Sequence, residues 1–274
     1  MVRFKGLYPF LLDERRQWKA RDDVWYRGVV TAVGNRPLGV AGGRIGPELG
    51  FGHVVGNHLA DPVLILKTSQ GNRSLSWDFL TPGSKRFEYG GRIYAGYKES
   101  PLSWEKGTEP DPINWYAGKQ YDDCFGAAHE VLASFDREFP HWKGRGYQIE
   151  GFAWWQGDKD MRNPAHCATY EKNLIQLIKS LRKDFAAPEA RFVTASLGQT
   201  KRGSQGGDGK ILDAMEAVAN SDEPELRGKV GFVYSNPLSK GGSSSGHYGG
   251  NPETYMNVGE AMGKAMVGLL KQDR

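Results

Sequence analysis

The chain has 274 residues, of which 25% are charged and 39% hydrophobic, with a formal net charge of +4. The basic residues are interleaved with acids, as in DERRQWKARDD and KSLRKD, so there is no one-sided field for nucleic acid. No apolar run reaches the roughly 18 residues that a bilayer span needs, and two cysteines, Cys124 and Cys167, without metal-ligand spacing exclude a disulfide framework.

The first segment, MVRFKGLYPFLLDERRQ, lacks the apolar core and small-residue cleavage site of a secretory signal, and residues 1–46 read as irregular. Residues 46–61 predict a helix, with Pro47 in the first turn and Phe51, Val54, Val55, His58 and Leu59 on one face. PVLILK (62–67) is a continuous apolar run, the pattern of a strand buried on both faces. It ends in the polar TSQGNRS. A Pro- and Gly-containing loop follows over 72–112, too long to be a plain connector.

Residues 120–139 predict a helix with Tyr121, Phe125, His129, Leu132 and Phe135 on a stripe. IEGFAWW (149–155) is the second strand, and 169–185 the clearest helix, striped by Tyr170, Leu174, Leu177, Ile178, Leu181 and Phe185. RFVTASL (191–197) is a third strand, 209–220 a helix and KVGFVYS (229–235) a fourth strand. KRGSQGGDG (201–209) reads as a surface loop. The last helix spans 251–270, with Asn251 as N-cap, Pro252 at its first position and Glu253 favouring the dipole. Strand and helix alternate four times. That pattern predicts one α/β domain over 1–274, a mainly parallel sheet between helical layers, with ligands beyond the carboxyl ends of the strands.

Three of those strand ends carry chemistry. Gln156 puts an amide just past a strand, where it either donates to a developing oxyanion or satisfies loop carbonyls as a buried amide. Gly71 allows a backbone N–H to approach the same spot. His247, in the Ser/Gly loop SSSGHYGGN, is a candidate general base at the end of the fourth strand. Asp158 and Asp160 are expected to hold loop backbone and orient neighbours, Asp160 also as a partner to His247. His53, His58 and His129 lie on helix faces and read as packing residues, and HEVLA (129–133) lacks the second His of a zinc protease.

Three blocks, IGPELGFGHVVGNHLADPVLILKTSQGNRSL, GFAWWQGDKD and HYGGNPETYMNVGEAMGKAM, occur in order. Together they resemble the sialic-acid-specific acetylesterase-like family, carbohydrate esterases of the SGNH hydrolase superfamily, from about residue 21 to about residue 270. The resemblance implies a flavodoxin-like three-layer αβα fold and hydrolysis of acetyl esters on sugars by a serine nucleophile, without metal or organic cofactor. It assigns His247 as the base, with Gln156 and Gly71 as oxyanion donors. Asn72, Trp155, Asp160 and Tyr248 are expected at the acetylated carbohydrate, and no membrane or nucleic-acid partner is implied. Relatives are commonly exported, which leaves the location of this chain open.

The sequence departs from the family pattern in three places. It has no Gly-Gln-Ser-Asn, the block that supplies the serine at the end of a central first strand. The second position of the family's glycine pair is Asn72. Ser244 stands where an Asp three residues before the histidine is common. The reading therefore expects a missing first strand, with LYPFLL (7–12) a poor substitute because of Pro9. Ser69, Ser74, Ser243, Ser244 and Ser245 are the serines near the expected site. The competing class is a non-catalytic carbohydrate binder, or a fragment on the same scaffold, with Trp77, Trp154, Trp155 and Tyr248 lining a cleft. A nucleotide binder is disfavoured because TSQGNRS does not lead promptly into a helix.

Overall fold

The computed structural model describes residues 1–30, 34–40 and 45–273. In chain order the elements are α1 (Val2–Lys5), β1 (Arg21–Gly28), β2 (Gly34–Leu38), α2 (Glu48–Gly56), β3 (Val63–Lys67), β4 (Phe87–Tyr89), β5 (Arg92–Tyr94), β6 (Ser103–Glu105), α3 (Lys119–Ala133), α4 (Phe135–Glu138), β7 (Gly151–Trp154), α5 (Pro164–Asp184), β8 (Arg191–Ala195), α6 (Gly207–Ala219), β9 (Val230–Val233) and α7 (Pro252–Leu270). The fold is mixed α/β, and it departs from the expected single sheet. The described strands form three sheets of three, ordered β2-β1-β3, β4-β5-β6 and β7-β8-β9. Parallel pairing holds within β7-β8-β9 and between β1 and β3, whereas β2 runs antiparallel to β1.

Helix ends follow their local chemistry. Asn163 caps α5 by accepting from the Ala165 N–H at 3.0 Å, with Pro164 at the first position, so the helix starts five residues before the predicted 169. Asn251 caps α7 in the same way through Glu253 N–H at 2.9 Å. Helices α2 and α7 cross closely through glycines. A Cβ on Gly259 would lie 2.1 Å from the Pro47 carbonyl oxygen, and one on Gly50 would lie 2.6 Å from that of Met256. This pair covers one face: Val55 of α2 and Val258, Met262 and Met266 of α7 pack with Val193, Ala195, Val233 and Val63. Across the strands, α3, α5 and α6 pack on Phe152, Trp154 and Phe192. Leu64 and Leu66 meet Val131, Leu132 and Phe135 at the end of α3 and in α4.

Strands β3 and β7 belong to different sheets and do not pair, but the segments flanking them are linked at both ends. Their amino ends are linked by Asp61 and Arg145 at 3.5 Å. Their carboxyl ends are linked where Gln156 Nε2 donates to the Arg73 carbonyl at 2.9 Å and Asp160 accepts from Leu75 N–H at 2.8 Å. They therefore run in the same direction, yet each is an edge of its own sheet. The burial confirms that these edges are open. All five residues of β8 are buried, every residue of β3 is partly exposed, and Ala153 in the middle of β7 is exposed. PVLILK was expected to be buried on both sides, and its unpaired edge is the reason it is not. LYPFLL does not fill the space. It forms a short 3-10 turn (Pro9–Leu11) whose Leu11 packs with Val24, Leu49 and Met256.

Several elements lay hidden in stretches read as irregular or as loop, among them α1 and the β1–β2 pair in the first 46 residues. β1, RDDVWYRG, buries Val24, Tyr26 and Gly28 on alternate positions. The long loop holds the β4-β5-β6 sheet over a small core of Trp77, Leu80, Ala95, Trp104 and Ala117.

Two outcomes test this architecture. In amide hydrogen exchange, the β3 and β7 amides that point away from β1 and β8 exchange much faster than those of β8, and uniform protection would contradict the open edges. Gly259→Ala lowers the urea midpoint by the equivalent of about 1–3 kcal/mol, the usual cost of overpacking a close contact, and an unchanged midpoint would contradict the helix crossing.

Candidate active site

The carboxyl ends of β3 and β7 meet around one buried carboxylate. Asp160 is wholly buried, with Oδ2 accepting from Leu75 N–H at 2.8 Å and Oδ1 from Ser76 N–H at 2.9 Å. Gln156 Nε2 donates to the same Oδ2 at 2.6 Å and to the Arg73 carbonyl at 2.9 Å, while its Oε1 accepts from Tyr170 O–H at 2.9 Å. The amide orientation is fixed by its partners, because only an NH2 group can face both a carbonyl and a carboxylate. Both N–H groups of Gln156 are engaged within the protein, the buried-amide arrangement of the two read from the sequence. Asp160 holds loop backbone and presents no free oxygen to a substrate. His166 lies beside it, Nδ1 to Oδ1 at 3.6 Å, and burial holds its pKa below the ordinary imidazole value against the pull of that carboxylate.

Gly71 and Asn72 form an exposed turn just beyond β3. Asn72 has φ +55°, a left-handed conformation that asparagine tolerates better than most residues, and this accommodates a side chain where the family has a second glycine. A Cβ on Gly71 would meet nothing within 4 Å, so the ground there is open. Arg73, next in sequence, lies over the Trp115 ring at 4.4 Å and reaches Asp78 at 3.3 Å.

The loop carrying His247 docks on the same end of the molecule. Ser244 O–H donates to Asp158 Oδ2 at 2.6 Å, Gln199 Nε2 donates to Ser244 Oγ at 2.9 Å, and Ser244 N–H donates to Gln199 Oε1 at 3.1 Å. The Tyr248 ring stacks on Trp155 at 5.5 Å and 10°, and its hydroxyl accepts from Gly198 N–H at 3.1 Å. Tyr255 O–H donates to the His247 carbonyl at 3.2 Å. The His247 residue itself is exposed, and its imidazole makes no hydrogen bond among the described residues. Its partner is not Asp160, which is buried and occupied elsewhere.

Of the aromatic residues expected at a sugar, Trp77 and Tyr248 are buried and Trp154 and Trp155 are partly exposed. Tyr248 is 4% exposed and Trp77 is buried, Trp154 packs edge-on against Phe79 at 5.3 Å, and Trp155 presents a face to Tyr248 and donates its N–H to the Ser196 carbonyl at 3.0 Å. The serines are similarly committed. Ser74 is buried and donates to Asp78 at 3.0 Å, Ser244 is held by Asp158, and Ser243 and Ser245 pair at 2.9 Å. Burial pushes the Cys124 thiol up to about 11 and that of Cys167 in the same direction, so neither is a ready thiolate. No three His, Cys, Asp or Glu side chains gather in a metal-binding group among the described residues.

A mixed α/β scaffold with a polar cluster at shared strand ends defines the class, and comparison with known proteins names it. The family model described as carbohydrate esterase, sialic acid-specific acetylesterase, matches residues 10–268. The chain belongs to this family. No curated protein matches. Among solved structures, a protein from Arabidopsis thaliana is 14% identical with a TM-score of 0.52, over 92% of this chain and 87% of that one, a likeness of fold.

Asp160→Ala strips the acceptor from the Leu75, Ser76 and Gln156 donors together. It is expected to cost roughly 3 kcal/mol or more in urea unfolding, and a change within error of zero would remove Asp160 from its role.

Proposed function

We propose that this chain is built for hydrolysis of acetyl esters on carbohydrate, with the ester seated over the carboxyl ends of β3, β7 and β8 and His247 as general base. The observation that carries this reading is the docking of the His247 loop on Gln199 and on Asp158 and Trp155, the residues that flank Gln156. In this scheme a serine hydroxyl attacks the acetyl carbonyl as the imidazole takes its proton. The same imidazole then protonates the departing sugar oxygen, and water repeats the cycle on the acetyl-serine. Gly71 lies in an exposed turn where even a Cβ would meet nothing within 4 Å, and its backbone is the readier source of an oxyanion donor. Gln156 serves only when the Arg73 carbonyl or Asp160 gives up one of its hydrogens.

The serine is the missing part. We infer that β2-β1-β3 and β7-β8-β9 are halves of one mainly parallel layer in a flavodoxin-like αβα sandwich, and that the family's serine-bearing strand belongs between β3 and β7. The open inner edges, the shared strand direction and the helices on both faces support this placement. A second reading is an inactive carbohydrate-binding form. It is favoured by the commitments of Ser74 and Ser244 and by both Gln156 N–H groups being engaged.

The chain alone is expected to hydrolyse 4-nitrophenyl acetate at background rate. A synthetic apolar strand ending in Gly-Gln-Ser-Asn restores turnover, and the same peptide with Ala for Ser does not. His247→Ala then lowers the restored rate by about 10²- to 10⁴-fold, the usual contribution of a general base. No restoration, together with glycan binding by the chain alone, would favour the inactive reading. Turnover by the chain alone that His247→Ala abolishes would move the nucleophile to one of its own serines.

A further inference from the structure

Four consecutive residues, His247 to Gly250, have φ values of +49°, +52°, +61° and +68°. Two of them carry side chains, for which a left-handed backbone is unfavourable by roughly 1–2 kcal/mol each. Such a run persists only when its surroundings hold it. On its amino side the loop is pinned at its start by Lys240 and Thr254, closed by the Ser243 carbonyl accepting from Tyr248 N–H at 2.8 Å, and tied to the β7 end at Ser244, three positions before His247. The Ser244 hydroxyl donates to Asp158 and accepts from Gln199, and its N–H donates to the Gln199 amide oxygen. Asp158 is itself fixed, since Arg162 donates to its Oδ1 at 2.6 Å and to its carbonyl at 3.2 Å. On the carboxyl side the Tyr248 ring stacks on Trp155, its hydroxyl accepts from Gly198 N–H at 3.1 Å, and Tyr255 O–H donates to the His247 carbonyl at 3.2 Å.

We propose that Asp158 is the positioning residue for His247, acting through Ser244 to hold the left-handed loop that presents the imidazole. The proposal rests on His247 being the base. The carboxylate thus enters from the β7 end of the fold rather than from the loop itself, and Ser244 relays its hold. A hydroxyl that donates to a carboxylate and accepts from an amide has its geometry fixed on both sides, which a lone loop serine lacks. Gln199, two residues beyond the buried Leu197, makes the contact two-pronged. Asp158 touches no reacting atom in this scheme, so its effect falls on the order of the loop and the placement of the ring.

The test compares Asp158→Ala with the double variant Asp158→Asn, Ser244→Asp, which returns a carboxylate to the pair from the loop side. In Asp158→Ala, amides of residues 243–250 exchange about ten- to a hundredfold faster, the size expected when a hydrogen bond to a charged group is removed. Amides of β8 keep their wild-type rates. The His247 imidazole NMR signal, single and sharp in the wild type, broadens or shifts, and the double variant recovers both readouts. Unchanged loop exchange in Asp158→Ala would overturn the proposal. So would equal acceleration in β8, which would make Asp158 a general stabiliser, or a double variant no better than Asp158→Ala. These readouts do not need turnover. If the peptide-supplemented chain shows no hydrolysis while the loop responds as expected, the functional reading fails and the positioning role stands. Where turnover is measurable, Asp158→Ala lowers kcat with KM little changed.

Discussion

One buried carboxylate holds the carboxyl ends of two sheets together. Asp160 sits at zero exposure and accepts from the backbone of Leu75 and Ser76 and from the amide of Gln156. A buried charge is tolerable only when its oxygens are filled by donors of good geometry, and here three donors, Leu75, Ser76 and Gln156, come from two segments far apart in the chain. Strands β3 and β7 do not pair, so this cluster does for their ends what a ladder of backbone bonds does elsewhere in the sheets. At the amino ends the corresponding link is the Asp61–Arg145 pair, which is exposed and contributes little. The two sheets are thus joined firmly at the end where the candidate chemistry lies and loosely at the other.

That arrangement explains the behaviour of Gln156. A primary amide just beyond a strand has the right character for an oxyanion donor, but in this molecule it also closes the turn carrying Gly71. Its hydrogens face Arg73 and Asp160, and its oxygen faces Tyr170. The same side chain therefore couples the turn that carries Gly71 to the end of β7. The His247 loop is tied to the same segment through Asp158 and Trp155, which lie on either side of Gln156 in sequence. A short stretch, Trp155 to Asp160, organises both the turn beyond β3 and the loop before α7.

Much of the fold was legible because apolar runs and helical stripes are local signals. PVLILK, IEGFAWW, RFVTASL and KVGFVYS each contain a strand, shorter than the run that signals it, and the stripe from Tyr170 to Phe185 became the helix α5 with its short extension. β1 was hidden because Asp22, Asp23 and Arg27 share it with Val24 and Tyr26, so charge masked the alternation. The three strands between Phe87 and Glu105 are three residues each, too short for any periodicity to register. At the site, the residue types were legible and their partners were not. Nothing in the local sequence tells Trp155 to stack on Tyr248, ninety-three positions away, or Ser244 to meet Asp158. Those contacts exist only once the strand ends share a face, and they turn the expected sugar platforms into anchors for the loop.

The central claim is that Gly71, Gln156 and His247 stand over one crevice. The most direct measurement places a nitroxide on Gly71→Cys and reads the His247 imidazole resonance by NMR, the native Cys124 and Cys167 being buried and out of reach of the label. A second label on Lys271→Cys serves as control, since α7 runs from Pro252 beside the loop to Leu270 and carries that position about 28 Å away at 1.5 Å per residue. The account predicts strong broadening of the His247 signal from position 71 and little from position 271. A His247 signal untouched by the label at 71 would contradict it.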